Sequence, residues 1–202
     1  MNPLPTVGPA QRLTKGPFLN LFTADVHRAD GPHPWIFASR KKSPLTGPLK
    51  PDAVSMVVTV KHENEPHLIV IREYRVPLGT YELALPSGLI DDGETTATAA
   101  ARELKEETGL TLTRIVHISP PVASSAGLTD ETVCLVYGEA TGPISKEHLE
   151  EHEQIEARLM NFAEISALLQ RPPADVISVR LYAALIGFAT AGAIVLPPVQ
   201  KP

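Results

Sequence analysis

Residues Gly88 to Leu110 read GLIDDGETTATAAARELKEETGL, and the parsing of that run decides the fold. Asp91-Asp92-Gly93 has the composition of a turn, Thr95 or Thr96 can cap a following helix, alanines fill its first turns, and Gly109 stands where a helix ends in a left-handed residue. The stretch predicts loop, helix, loop. On that helix Glu103 and Glu107 are four apart and Glu106 is three from Glu103, so three carboxylates project from adjoining parts of one face. Like charges so placed repel, and Arg102, four before Glu106, is expected to neutralise only one of them. Leu104 with Ala97, Ala100 and Ala101 supplies an opposed apolar stripe for packing against a sheet. A rigid, oxygen-rich face with several negative charges suits a hard divalent cation, and Mg²⁺ typically bridges carboxylates to substrate phosphates. A solvated Glu-rich helix face is the plainer alternative.

The same residues resemble the Nudix box, G-x5-E-x7-R-E-U-x-E-E-x-G-U with U aliphatic. Every fixed position is filled, by Gly88, Glu94, Arg102, Glu103, Leu104, Glu106, Glu107, Gly109 and Leu110. A chance match in a chain of this length has a probability on the order of 10⁻⁷. The resemblance implies an α/β fold, an α/β/α sandwich around a mixed β-sheet with the box helix beneath the active site. It also implies hydrolysis of a nucleoside diphosphate linked to a further group, with Mg²⁺ as cofactor and Mn²⁺ as a substitute. Carried over by position, Glu103 and Glu107 are metal ligands, and Glu106 is a ligand directly or through water and part of the catalytic set. Glu94 with Arg102 orients the cluster, and the carbonyl of Ser87 completes a metal site. The chemistry is consistent, because a diphosphate is shielded from nucleophiles by its own charge, and cations lower that barrier while polarising an attacking water.

Outward from the box, Ala53 to Lys61 and His67 to Arg75 are strand-like runs joined by polar residues 62–66, followed by a turn at Leu78-Gly79-Thr80 and a short strand around Leu83 to Leu85. Downstream, Thr132 to Ala140 and Ile155 to Phe162 read as strands and Ala163 to Gln170 as a helix stopped by Pro172-Pro173. Asp175 is expected to cap a last helix, buried through the uncharged run Leu181 to Leu196. Upstream, Phe18 to Arg28 and Trp35 to Arg40 flank a turn at residues 29–34, residues 43–51 form a linker, and the first sixteen residues read as an arm. The expected organisation is an N-terminal arm and β-hairpin over residues 1–50 and a Nudix hydrolase domain over 51–202.

Outside the box the chain resembles the branch of ADP-ribose pyrophosphatases and their nucleoside-diphosphate-sugar relatives. Ile71-Arg-Glu-Tyr-Arg75 resembles that branch's R-Q-Y-R strand, and Glu82-Leu-Ala-Leu-Pro-Ser-Gly88 its E-L-P-A-G approach to the box. The resemblance places Arg72, Arg75 and Glu82 against the substrate's phosphates or terminal ribose; the plainer reading of each is a strand-edge salt-bridge ladder. The branch often carries S-P-G downstream, with the proline sixteen positions past the box marking ADP-ribose activity. Here the stretch is Ser124-Ser-Ala-Gly-Leu-Thr-Asp-Glu131, with Ala126 at the proline's place, while Gly127, Asp130 and Glu131 fit. Glu147 to Glu156 holds five glutamates, and Glu151-His-Glu-Gln-Ile-Glu156 resembles the branch's late acidic loop. By that match Glu151 is the general base and Glu153 a further metal ligand. Trp35 resembles the aromatic that stacks a nucleobase in branch members, whose subunits exchange their N-terminal elements; a core or dimer-contact role is the alternative.

Composition bounds the rest. The 202 residues carry 18 Lys plus Arg against 23 Asp plus Glu, a formal charge of −5, which argues against a nucleic-acid partner, and Arg40-Lys-Lys42 is too short for a basic patch. The run Leu181 to Leu196 is shorter than the roughly 20 residues that a bilayer requires, so no membrane partner is expected. Cys134 is the only cysteine and reads as an inert core thiol, and no apolar run near Met1 resembles a leader, so a reducing cytoplasm is expected. His148-Leu-Glu-Glu-His152 fits the zinc-protease pattern H-x-x-E-H, weak at three specified positions. The function expected is a homodimeric diphosphatase of nucleoside diphosphate sugars, first of all ADP-ribose, giving AMP and ribose 5-phosphate. GDP-sugars, dinucleotides and nucleoside triphosphates are alternative substrates, and a nucleotide-sugar-binding regulator is the alternative from a different class.

Overall fold

The computed structural model describes residues 5–149, 154–171 and 173–198. In chain order the strands are β1 (Thr6–Val7), β2 (Gln11–Arg12), β3 (Asn20–Arg28), β4 (Gly31–Ser39), β5 (Ala53–His62), β6 (Glu65–Arg75), β7 (Thr80–Ala84), β8 (Ser87–Leu89), β9 (Thr111–Ile118), β10 (Val122–Ala123), β11 (Thr132–Thr141), β12 (Ile155–Met160) and β13 (Val176–Ile177). The helices are α1 (Thr96–Thr108), α2 (Phe162–Gln170) and α3 (Val179–Ala191). The chain divides into two compact units. One holds the residues up to Asp52 with Pro121–Val133, the other Ala53–Pro120 with the residues from Cys134 onward.

In the first unit β3 pairs antiparallel with β4 from Asn20↔Ser39 to Arg28↔Gly31, which shortens the expected turn to Ala29-Asp30. Pro32 and Pro34 fall inside β4, where an edge strand tolerates the missing N–H. The first sixteen residues are not a bare arm. β1 and β2 pair with β3, and runs of two residues are too short to carry a readable period. Phe22 and Phe37 are cross-strand partners, buried and stacked with ring centroids 5.9 Å apart. Arg40 and Lys41 are paired, Arg40 with Glu131, and Lys41 with Asp52 at 3.3 Å and Asp130 at 3.4 Å.

The second unit is built on a mixed sheet in the order β11-β5-β6-β7-β13, with β8 on β5, β9 on β11 and β12 on β6. β9 with β11, β12 with β6, β5 with β6 and β8, and β6 with β7 pair antiparallel, and β13 pairs parallel with β7. β5 is buried along its first eight residues, the mark of a strand covered on both faces. Val54, Met56 and Val58 pack toward α1 with Ile69, Leu104 and Val136, while Val57 packs with Leu68, Leu83, Leu85 and the helix residues Ile165, Leu181 and Leu185. Alternate residues of one strand therefore face opposite helix layers, which is the expected α/β/α sandwich. Glu63 and Asn64, at φ 50° and 66°, make the two-residue β5–β6 hairpin turn that requires left-handed residues.

Three local expectations are corrected. The start of the box, expected as loop, is itself strand β8, and residues 111–118, for which the pattern suggested no element, form β9. Ser178 caps α3, its Oγ accepting from Leu181 N–H at 3.2 Å, while Asp175 lies three residues earlier and serves elsewhere. α3 ends at Ala191, with Gly192 left-handed at φ 71°, so the uncharged run is only in part helical. Among the described residues no helix is long and apolar enough to cross a membrane.

Candidate active site

Helix α1 begins at Thr95, whose side chain accepts from Thr98 N–H at 3.2 Å while Thr98 Oγ1 accepts from Thr95 N–H at 3.0 Å. It ends at Gly109, φ 78°, where a Cβ would also lie 2.6 Å from the Ser145 nitrogen. Glycine is required there both by conformation and by close approach. The buried stripe is Ala99, Ala100 and Leu104, with Ala97 and Ala101 only half-buried. Glu107 lies at the edge of that stripe, 5% exposed. A buried carboxylate is costly unless it is hydrogen-bonded, and Glu107 Oε2 accepts from Ser87 N–H at 2.9 Å.

Arg102 does more than the sequence spacing suggested. Its Nε and Nη2 grip Glu94 at 3.1 and 2.9 Å, its Nη1 donates to Glu103 Oε1 at 2.9 Å and to Glu106 Oε2 at 3.0 Å, and Nη2 also reaches the Leu89 carbonyl at 3.0 Å. The hydrogen bonds from Arg102 hold the Glu94 carboxyl below the usual carboxylate range, and Glu94, then Glu103 and Glu106, raise Arg102 further above its already high value. Arg102 thus gathers four carboxylates, those of Glu94, Glu103, Glu106 and, at 3.8 Å, Asp91, around one guanidinium, a formal balance of 1 − 4 = −3 before Glu107 is added.

Gly88 explains how Glu103 sits. A Cβ there would meet the Glu103 carboxylate, 1.8 Å from its carbon and 2.1 and 2.2 Å from its oxygens. The glycine is a cradle for that carboxylate. Among the described residues the glutamates are not drawn into a shell of three or more, and Arg102 Nη1 donates to both Glu103 and Glu106. Their donor chemistry fits a hard divalent cation all the same: several carboxylate oxygens with surplus negative charge, Glu106 being the most exposed at 39% and able to turn.

The other predicted site residues fall in separate networks. Arg72 donates bidentately to Asp175 at 2.7 and 3.1 Å, with Glu156 at 3.6 Å, and its guanidinium carbon lies 3.5 Å from the Tyr81 ring centroid. That pairing depresses Asp175 and raises Arg72. Arg75 is held by Glu73 at 2.6 Å and Glu82 at 2.9 Å. Counted back from Gly88, the acid of an E-L-P-A-G form falls at position 84, which here is Ala84, buried with Ile71 and Ile155. Glu82 stands two residues earlier, opposite Glu73. In the first unit, Trp35 and Ala126 line one cavity of about 540 Å³ together with Phe37, Leu49 and Asp130, and Gly127 is next to Ala126 in the chain. Glu151 and Glu153 lie outside the described residues, as do Glu150 and His152 of the zinc-protease pattern. Cys134 is buried, and burial pushes its thiol up. Sequence reasoning did not bring Asp175 or Tyr81 to Arg72, where both lie. The only signal for the first was an acid beside a double proline, which reads equally well as a cap.

The NUDIX domain profile matches residues 49–185. The chain belongs to the Nudix hydrolase family. The Caenorhabditis elegans protein that carries the name nudix hydrolase 2 is 33% identical over 165 residues, 77% of this chain and 73% of that one. An ADP-ribose pyrophosphatase of Saccharomyces cerevisiae is 38% identical over 87 residues, 42% of this chain and only 37% of the yeast protein. A crystal structure of an ADP compounds hydrolase superposes with a TM-score of 0.67 at 21% identity, over 95% of this chain and 97% of that one. It shares the fold. The matched residues take in the whole of the box, from β8 through α1.

Proposed function

We propose that this Nudix hydrolase cleaves the diphosphate of nucleoside diphosphate sugars, with ADP-ribose as principal substrate, to AMP and ribose 5-phosphate. The observation that carries the reading is the bracketing of α1 by β8, with Glu107 on the Ser87 N–H and Glu103 in the cradle of Gly88. That arrangement holds two carboxylates in fixed places, while Glu106, on Arg102, keeps freedom to adjust. Glu103, Glu106, Glu107 and the Ser87 carbonyl would hold Mg²⁺, or Mn²⁺ in its place, with Glu153 as a further ligand. When bound, the ion supplies neutralisation of the diphosphate and acidification of water. Glu94 keeps Arg102 in position so that the guanidinium screens the glutamates from one another without leaving their face. Glu151 removes the proton from the attacking water, an assignment that rests on resemblance of its loop.

The substrate class rests on the branch motifs and on the names of relatives. Trp35 in its cavity offers a flat surface to a nucleobase, half-exposed at 47%. Arg72 and Arg75, already engaged by Asp175, Glu73 and Glu82, would meet phosphates only in exchange for those carboxylates, so part of their contribution is structural. Ala126, lacking the ring of proline, leaves its loop freer and widens the sugars accepted. A homodimer fits the exposed apolar side chains of the N-terminal element, Phe18 at 83%, Ile36 at 59% and Leu19 at 50%. A reducing compartment fits the single cysteine.

The test is a screen of ADP-ribose, other sugar nucleotides, dinucleotides and nucleoside triphosphates with Mg²⁺, followed by product identification. ADP-ribose should be hydrolysed, with at least one other sugar nucleotide within roughly tenfold in kcat/KM. Exclusive action on triphosphates would overturn the branch assignment. Tight sugar-nucleotide binding without turnover would favour the regulator.

A further inference from the structure

The face of β8 turned away from α1 carries a polar feature that the box does not require. Ser55 and Ser87 are cross-strand partners on β5 and β8, Ser55 is fully buried, and their Oγ atoms are 2.7 Å apart. Met56 N–H donates to the Pro86 carbonyl at 2.8 Å. That bond makes Ser55 and Ser87 an antiparallel pair of the non-hydrogen-bonded kind, whose side chains lie closest and whose own N–H and C=O groups turn away from the partner strand. The Ser87 N–H accordingly reaches Glu107 Oε2, and its carbonyl points to the same side. Ser87 Oγ also lies 2.9 Å from the Leu85 carbonyl. The Ser87 hydroxyl is the donor in both contacts, its one proton shared between the Ser55 Oγ and the Leu85 carbonyl. With the Met56–Pro86 bond, this chain of hydroxyls ties the residues just before Gly88 to β5.

We propose that the Ser55–Ser87 hydroxyl pair is a positioning device for Glu107, acting through the Ser87 backbone; the inference rests on the metal-holding role given to Glu107 above. A hydroxyl at Ser55 is out of keeping with its neighbours Val54, Met56 and Val57, all buried and apolar, and burying it is unfavourable without a partner. Its partner is Ser87, whose backbone N–H holds the carboxylate of Glu107. Loss of either hydroxyl loosens the 85–88 segment and lets the Ser87 N–H and carbonyl drift together, so the effect falls on ion affinity before it falls on the chemical step.

The experiment measures Mn²⁺ binding by electron paramagnetic resonance for wild type, Ser55→Ala, Ser87→Ala and the double variant, with thermal unfolding and kcat at saturating Mn²⁺ alongside. Each single change should weaken Mn²⁺ by about tenfold, the lower end for loss of an outer partner of a metal site. The double variant should be no weaker than the worse single one, and in Ser55→Ala kcat at saturating Mn²⁺ should stay within about twofold. Folded single variants that bind Mn²⁺ like wild type, or losses that add in the double variant, overturn the positioning role. If Ser55→Ala does not fold, Ser87→Ala, at a half-buried position, decides alone. Wild-type protein that binds no Mn²⁺ refutes instead the metal reading on which the inference stands.

Discussion

Gly88→Ala is the smallest change that tests the geometry of the site, since it adds one methyl group. The new Cβ would fall 1.8 Å from the Glu103 carboxylate carbon and 2.1 and 2.2 Å from its oxygens. Contact between such atoms settles near 3.5 Å, so the carboxylate must withdraw by roughly 1.5 Å. The backbone at Gly88 is not left-handed, so alanine is otherwise tolerated, and the group that must move is the end of a flexible side chain. Stability should therefore change by no more than about 1 kcal/mol. Activity should not survive as well, because misplacing a reacting group by about 1 Å costs on the order of 10²-fold, or about 2.7 kcal/mol of transition-state stabilisation. The assay is AMP release from ADP-ribose with Mg²⁺, run beside a thermal melt. In a Glu103→Gln background the added methyl should have little further effect, as both changes disable one ligand. Folded Gly88→Ala with turnover within about threefold of wild type would refute the reasoning.

Glu94 and Asp175 are held below the ordinary carboxylate range by Arg102 and Arg72, so their folded values lie under their unfolded ones. The stability they contribute is complete above about pH 5 and is lost as pH falls through the folded values; Arg72→Met should flatten the acid decline of the melting temperature, and an unchanged decline would count against the pairing. Glu151→Gln should lower kcat with little change in KM, as expected of a base acting on the attacking water; if Glu153→Gln proves the more damaging while Glu151→Gln is near wild type, the register assigned to that loop is wrong. Ala126→Pro should sharpen the preference for ADP-ribose over other sugar nucleotides, and strict ADP-ribose specificity in the wild type would deprive Ala126 of its role.

The box helix was legible because its signals agree at every level. Thr95 caps it, Gly109 ends it, and its carboxylates occupy a face that the alanines and Leu104 do not. What spacing concealed was reach. Helix spacing alone brings Arg102 to Glu106, and only the resemblance coupled it to Glu94; a guanidinium offers five donors in a plane and spans Glu94, eight residues back, because β8 and the turn after it fold over the helix. Strand runs interleaved with helices pointed to α/β layers and the resemblance of the box to a sandwich, while β9 escaped because the arginine and threonines of Thr111–Ile118 dilute its apolar alternation. Asp175 shows the opposite failure. Its local pattern fits a helix cap, but the pairing of Val176 with Glu82 carries it to Arg72, 103 positions earlier, and no local pattern reports such a contact. The buried Ser55 was invisible for the same reason, since its meaning lies in the residue opposite.

The central claim is that the glutamates of α1, fixed by β8, hold the ion that enables diphosphate cleavage. The most direct measurement is chromatographic quantification of AMP and ribose 5-phosphate released from ADP-ribose by wild type and Glu107→Gln, each with Mg²⁺ and with a chelator. Wild type should yield the two products in equal amounts, only with the ion present, and Glu107→Gln should be slower by on the order of 10²-fold or more while still folded. Equal rates in the two proteins, or hydrolysis undiminished by the chelator, would contradict it.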